Sequence, residues 1–288
     1  MTCLICDAST SRPVWRRNNL RIDECDGCGV LFTAERPSEQ ELISLYDGDA
    51  LLTFNPGPPP PWKKAENKNL LDFLALHGCK NGTLLDVGSY SGFFLEDAHA
   101  RGFSVVGVEP NHDAYLHVTR FLKFEVFHGS LKSAHFPDAR FSAVTFHDVI
   151  EHVSDPVSEL REAWRVFQPG GILLLGTPNA RGLIQRFVKA KRRLTGQPWC
   201  PIDDVPWHLW GFTPHSLALC IKKAGFAVKG LLWVEPSPLS TNINAGSSWW
   251  QYAALRLVAH VSKPLRMSDR FAMIAQKPPS SPTQQATS

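Results

Sequence analysis

No stretch of this 288-residue chain reaches the roughly 18 uninterrupted apolar residues that a membrane span requires. The first residues, M-T-C-L-I-C-D, lack the basic flank, apolar centre and cleavage pattern of an export signal, which predicts a cytoplasmic protein. Charge of one sign is also scarce. The formal net charge is +3, and the one dense basic run, residues 189–193, falls short of the broad positive groove of a nucleic-acid enzyme. A solvated helix face accounts for that run more simply. The G-x-G-x-x-G spacing of a dinucleotide fold is missing as well. What the chain does have is 43% hydrophobic residues, enough for a large core in one or two domains.

Its seven cysteines are unevenly placed. Cys3-x-x-Cys6 and Cys25-x-x-Cys28 are separated by eighteen residues, close to the spacing of a four-cysteine zinc site. A two-residue gap lets both thiolates of a pair reach one ion, and Gly27 and Gly29 free the backbone around the second pair. Soft thiolates in a reducing compartment favour tetrahedral zinc over disulfides. Such a site is closed, so it points to a lid, scaffold or docking surface and not to the reacting centre. Cys79, Cys200 and Cys220 are isolated and read as small packed residues.

Residues 84–92 read L-L-D-V-G-S-Y-S-G, and an acid, Glu109, follows Asp86 by twenty-three residues at the end of F-S-V-V-G-V-E-P. The first run predicts a buried strand leading into a glycine turn that lets backbone approach a ligand. The second predicts a strand presenting a carboxylate at its tip, placed for a ribose diol. Beyond them apolar runs and helical periods alternate. Helices are predicted over 39–46, 62–77, 112–121, 156–167 and 214–224, with a further one after Gly88. Strands are predicted over 83–87, 103–108, 124–127, 141–146, 171–176, 226–234 and 271–276. This pattern implies an α/β fold whose mainly parallel sheet is covered by helices on both faces. The boundaries expected are a zinc-binding module over 1–46, a proline-rich linker over 47–61, a main domain over 62–277 with insertions at 179–210 and 235–270, and a disordered tail over 278–288.

The motifs L-L-D-V-G-x-x-x-G, V-x-G-V-E-P, D-V-I-E-H-V, R-V-F-Q-P-G-G and H-L-W-G-F-T-P-x-S-L occur in order between residues 62 and 225. In them the chain resembles the class I S-adenosylmethionine-dependent methyltransferases, and among these the small-molecule enzymes of the ubiquinone-biosynthesis type. It is also similar to a bacterial subset that carries an N-terminal four-cysteine zinc module. The resemblance implies a seven-stranded Rossmann-like sheet with an antiparallel last strand, here 271–276, beside a small zinc-ribbon-like module. It implies that Asp86, Gly88, Ser89 and Gly92 line the methionine end of the cofactor and that Glu109 grips the ribose. By the same resemblance Pro110 and Asn111 edge the adenine, Ser130 and Leu131 contact it, and Phe146 and His147 lie beneath the transferring methyl.

For the chemistry, Asp148, Glu151 and His152 stand at i, i+3 and i+4, and a helical turn starting at Val149 would bring them onto one face. His208 follows in the W-H-L-W segment. With it they resemble the E-x-x-E-H plus distant histidine set of metal-dependent O-methyltransferases, with Asp148 in place of the first Glu. A divalent ion such as Mg2+ there would orient an acceptor hydroxyl and lower its pKa. In the metal-free alternative His152, His147 or His208 is the general base, and Glu151 and His152 brace the fold against Arg161 or Arg165. The expected reaction is methyl transfer to a small-molecule acceptor, foremost at oxygen. The alternatives are an RNA methyltransferase prompted by the basic run and a non-catalytic cofactor-binding protein. The insertions would select the acceptor. Residues 183–194 form a basic amphipathic segment, and 249–261 a helix that caps the site, forms a homodimer face or lies on a membrane.

Overall fold

The computed structural model describes residues 2–48, 57–196, 199–202, 205, 207–234 and 261–278. Residues 235–260 of the second insertion, and with them all but the last residue of the segment expected over 249–261, lie outside the described residues, as does the tail beyond 278.

The N-terminal part opens with a hairpin, β1 (Ser11–Arg17) and β2 (Leu20–Cys25), followed by β3 (Leu31–Thr33) and helix α1 (Glu39–Gly48). Helix α1 starts at a capping box: both the backbone N–H and the hydroxyl of Ser38 donate to Glu41 Oε2 at 2.7 Å. Helix α2 (Pro61–Leu76) takes a proline at its first position, where the ring costs no hydrogen bond. It buries Leu70, Leu71, Phe73 and Leu74, as its periodicity requires.

Strand and helix then alternate: β4 (Gly82–Val87), α3 (Phe93–Ala100), β5 (Phe103–Glu109), α4 (His112–His117), β6 (Glu125–His128), β7 (Phe141–His147), α5 (Pro156–Val166) and β8 (Phe167–Pro178). Next come α6 (Leu183–Thr195), a two-residue strand β9 (Trp210–Gly211), α7 (Pro214–Lys223), β10 (Ala227–Val234) and β11 (Arg270–Gln276). The seven-stranded sheet has the order β10-β11-β8-β7-β4-β5-β6. Strands β4 to β8 run parallel, and β11 lies antiparallel to both β8 and β10, as expected for the last strand.

Two local expectations are corrected. The helix expected over 112–121 ends at His117 and continues as a π-helical turn, Val118–Leu122. The helix expected to run to 167 stops at Val166, and β8 begins at once; a register shift separates its pairing of Phe167 with Phe141 from that of Ile172 with Ala143.

The N-terminal sheet has four strands in the order β1-β2-β3-β9, so its last strand comes from the first insertion of the main domain. One continuous core runs from Cys3, Ile5, Phe32 and Leu42 through Trp210 and Phe212 to Leu217 and Phe271. On the other face of the sheet a second core packs α2 and α3 on Leu84, Ala143, Leu174 and Ile274.

Candidate active site

The carboxyl ends of β4, β5 and β7 open onto one cavity of about 460 Å3. The turn after β4 is shaped by Gly88. Its φ is +73°, and a Cβ there would stand 2.4 Å from Val149 Cγ2, so only glycine fits. Glu109, at the tip of β5, is buried. Its Oε2 accepts the Tyr90 N–H at 2.7 Å and its Oε1 the Asn111 N–H at 2.8 Å. A carboxylate oxygen has lone pairs for more than one donor. Asp86 is buried at the end of β4 and accepts from the Thr145 hydroxyl at 2.6 Å. Burial pushes its carboxyl up to about 6 against that hydrogen bond, and a bound ammonium would restore the charged form. Of the expected cofactor residues, Asp86, Gly88, Ser89, Glu109, Pro110, Asn111, Ser130 and Leu131 line this cavity.

The methyltransferase-domain family model matches residues 62–229. The chain belongs to this methyltransferase family. Among curated relatives it is 28% identical over 55% of its length to a probable S-adenosylmethionine-dependent methyltransferase of Mycolicibacterium smegmatis. It is 33% identical to the ubiquinone biosynthesis O-methyltransferases of Alkalilimnicola ehrlichii, over 51% of its length, and of Pseudomonas paraeruginosa, over 57%. The chain spans 57%, 63% and 72% of these three relatives in turn. Two solved structures share the fold. The [4+2]-cyclase SpnF aligns with a TM-score of 0.58 at 19% identity, covering 85% of this chain and 98% of its own. A Burkholderia thailandensis 1,6-didemethyltoxoflavin N1-methyltransferase, solved with that substrate and S-adenosylhomocysteine, aligns at 0.55 and 14% identity, covering 93% and 99%. Residues 62–229 form a methyltransferase domain with the class I fold.

Two expected cofactor residues of the methyltransferase stand elsewhere. Gly92 is the left-handed N-cap of α3, and a Cβ there would meet Leu122 at 2.7 Å; it does not line the cavity. Phe146 is fully buried in the core with Val144. Side chains alternate along a strand, so Phe146 and His147 point to opposite faces, and only His147 reaches the cavity.

His147 is held between charges. Its Nε2 lies 3.4 Å from Glu66 Oε1, and Lys63 Nζ stands 3.4 and 3.5 Å from its two ring nitrogens. Burial pushes the Glu66 carboxyl up, but His147, Arg270 and Lys63 outweigh it and hold Glu66 well below the usual carboxylate range. Arg270 on β11 bridges Glu66 and Asp148.

That bridge corrects the expected four-residue metal set. A turn does start at Val149, closed by the His152 N–H on the Val149 carbonyl at 2.9 Å, but Asp148 before it has a φ of +60°, so it leaves the face of Glu151 and His152 and pairs with Arg270. Glu151, His152 and His208 do converge, with ligand atoms all within 4.8 Å of one another. Neither Glu151 oxygen has a hydrogen-bond partner among the described residues. Burial, then the charge of Asp148, pushes its carboxyl up to about 8. Two imidazoles and one carboxylate suit a transition metal better than Mg2+, which prefers oxygen ligands. Only His152 of the three lines the cavity. The expected pairing with Arg165 is absent: that guanidinium holds Glu162 and Asp138. His152 Nδ1 lies 3.1 Å from the Trp207 carbonyl, which can only accept, so the neutral ring keeps its lone pair on Nε2.

Tyr46, Lys63 and Lys132 also line the cavity and were not anticipated. Tyr46, near the end of α1, packs 5.8 Å from Trp207 and 6.3 Å from His152. Burial, then the charges of Glu151 and Glu109, raise its phenol above the usual range, so it stays neutral. Lys63 carried one signal: a cation in the first turn of a helix opposes the dipole and needs another partner.

The four module sulfurs also lie within 4.8 Å of one another, with Cys3–Cys28 at 3.8 Å and Cys6–Cys25 at 3.5 Å. Tetrahedral metal–sulfur bonds of about 2.3 Å give sulfur–sulfur edges of roughly 3.8 Å, whereas a disulfide needs about 2.0 Å. The cluster is able to chelate a metal. Gly27 is required beside it, because a Cβ would stand 3.0 Å from Cys6 Sγ and 2.9 Å from Ala8 Cβ.

Proposed function

We propose that this methyltransferase moves the methyl of S-adenosylmethionine onto a hydroxyl of a small-molecule acceptor, with His152 taking the acceptor's proton. The observation that carries this is that Glu109 and His152 line one cavity from β5 and from the turn after β7, the two strands flanking β4. The cofactor supplies a methyl already activated on a sulfonium. Glu109 receives the two ribose hydroxyls. Asp86 faces the methionine ammonium, and Lys63 supplies a cation for the methionine carboxylate. Gly88 and Ser89 allow close backbone approach. Pro110, Asn111, Ser130 and Leu131 enclose the adenine.

On the acceptor side, Tyr46 and Trp207 present aromatic surface beside His152, which suits a flat acceptor. His147 is fixed between Lys63 and Glu66, so it positions charge and does not act as the base. His208 buttresses His152 from outside the cavity at a ring distance of 4.6 Å. Zinc on Cys3, Cys6, Cys25 and Cys28 holds the module together and stays out of the reaction.

The test compares His152→Ala with His147→Ala on a panel of phenols, following S-adenosylhomocysteine release. His152→Ala should lower kcat by about 10²–10⁴-fold while S-adenosylhomocysteine affinity stays at the parent level. His147→Ala should weaken that affinity through the freed Lys63 and Glu66. Parent-like turnover by His152→Ala would sink the assignment.

A further inference from the structure

Helix α6 leaves β8 at the carboxyl edge of the sheet, the edge that also carries the cavity. Its N-terminus is tied down: the N–H groups of Ile184 and Gln185 donate to Asp269 Oδ1 at 2.9 and 3.3 Å, and the Leu183 N–H donates to the Met267 carbonyl at 2.8 Å. No residue of the helix is buried. Phe187 is 59% exposed and Leu194 88% exposed, the latter the most exposed large apolar side chain among the described residues. Phe187, Ala190 and Leu194 stand at i, i+3 and i+7 and form one ridge. Arg186 and Arg193 flank the ridge on one side and Lys191 on the other. Including Lys189 and Arg192, the helix carries five cations and no acid.

An apolar ridge between rows of cations is the pattern of a helix lying in a membrane interface. A surface that binds only phosphodiesters needs the cations and has no use for a fully presented leucine. We propose that α6 seats this protein on an anionic phospholipid surface. Phe187 and Leu194 enter the headgroup–acyl boundary, and Lys191 and Arg193 meet lipid phosphates. The cavity edge of the sheet then faces the bilayer, within reach of an acceptor that partitions into lipid.

The test is co-sedimentation of the full chain with vesicles of mixed phosphatidylglycerol and phosphatidylcholine, against vesicles of phosphatidylcholine alone. Binding is expected to the mixed vesicles and to weaken as salt rises. Lys191→Gln with Arg193→Gln should reduce partitioning about fivefold per cation. Leu194→Ser should reduce it about tenfold. Both variants should keep the parent's unfolding midpoint and S-adenosylhomocysteine affinity, because these side chains are exposed and lie outside the cavity. Equal binding to both vesicle types, no sedimentation, parent-like binding by Leu194→Ser, or preferential retention on RNA at the same salt would each overturn the proposal.

Discussion

Replacing Glu109 with Gln tests the ribose grip with a change of one atom. In the parent, Glu109 Oε2 accepts the Tyr90 N–H and Oε1 the Asn111 N–H, and in the proposed site each oxygen would also take a ribose hydroxyl. Glutamine keeps one such oxygen. Its NH2 group faces an amide N–H that it cannot accept, and its side offers no acceptor to the second hydroxyl. One charge-assisted hydrogen bond is therefore lost outright, at about 1.5–3 kcal/mol, and the other weakens to the neutral range. The expected loss of S-adenosylhomocysteine affinity is about 3 kcal/mol, on the order of a hundredfold. Isothermal titration reads it directly, with thermal unfolding alongside to show that the variant is folded. A ligand lacking one ribose hydroxyl supplies the control. It should bind the parent more weakly than the full ligand does, and the gap should shrink in the variant, because the two changes remove the same interaction. A folded variant within threefold of the parent's dissociation constant, or an unchanged gap between the two ligands, would refute the ribose assignment.

Burial pushes the Glu159 carboxyl up to about 7 from an ordinary 4.5, against the pull of Lys132. The folded chain then holds a proton that the unfolded chain has released, so stability falls as pH rises from about 4.5 to 7 and is level above. The fall amounts to about 3 kcal/mol. Glu159→Gln should remove it and raise stability at pH 7.5, as denaturant titrations at several pH values would show; an unchanged pH slope would count against it. Cys28→Ser should abolish zinc content by elemental analysis and lower the unfolding midpoint by on the order of 10 °C. A parent chain that carries no metal, with a midpoint indifferent to chelator, would dismiss the structural ion.

The main sheet was legible because its strands are short apolar runs bounded by glycine and proline, and buried parallel strands have little else to show. Leu84 to Val87, Phe103 to Val108 and Phe271 to Gln276 all fall within observed strands. The placement of Asp86, Gly88 and Glu109 on one cavity was legible for the same reason: they stand at strand ends, where sequence position fixes spatial position. Legibility failed wherever a distant residue decides the outcome. Asp148 is taken by Arg270, 122 residues away. Phe146 and His147 were assigned together, although strand alternation separates them. Strand β9 is two residues long and has no period to detect. Tyr46 reached the cavity only because the module folds over it, which no local pattern reports.

Those missed contacts decide what the module does. A lid would meet the main domain through few bonds, and a docking surface would face away from the cavity. Here Leu31 and Phe32 of β3 pair with Gly211 and Trp210, and the Thr33 N–H donates to the Leu209 carbonyl at 2.9 Å. The same segment donates back to the turn that carries His152. The N–H groups of Leu209 and Trp210 reach the Glu151 carbonyl at 2.8 and 3.1 Å, and the Trp210 indole reaches the Val153 carbonyl at 2.8 Å. Trp207, three residues before Trp210, places its carbonyl 3.1 Å from His152 Nδ1 and fixes the tautomer of the neutral ring. Near the end of α1, the Tyr46 carbonyl accepts from Asn111 Nδ2 at 2.9 Å, and just before its start the Pro37 carbonyl accepts from the Ser154 hydroxyl at 2.6 Å. The cysteine-held sheet is thus continuous, bond by bond, with the backbone on both sides of the proposed base. A module bonded this way fits a scaffold better than a lid: in the proposed function, what stiffens its four sulfurs would stiffen the wall against which the acceptor aligns.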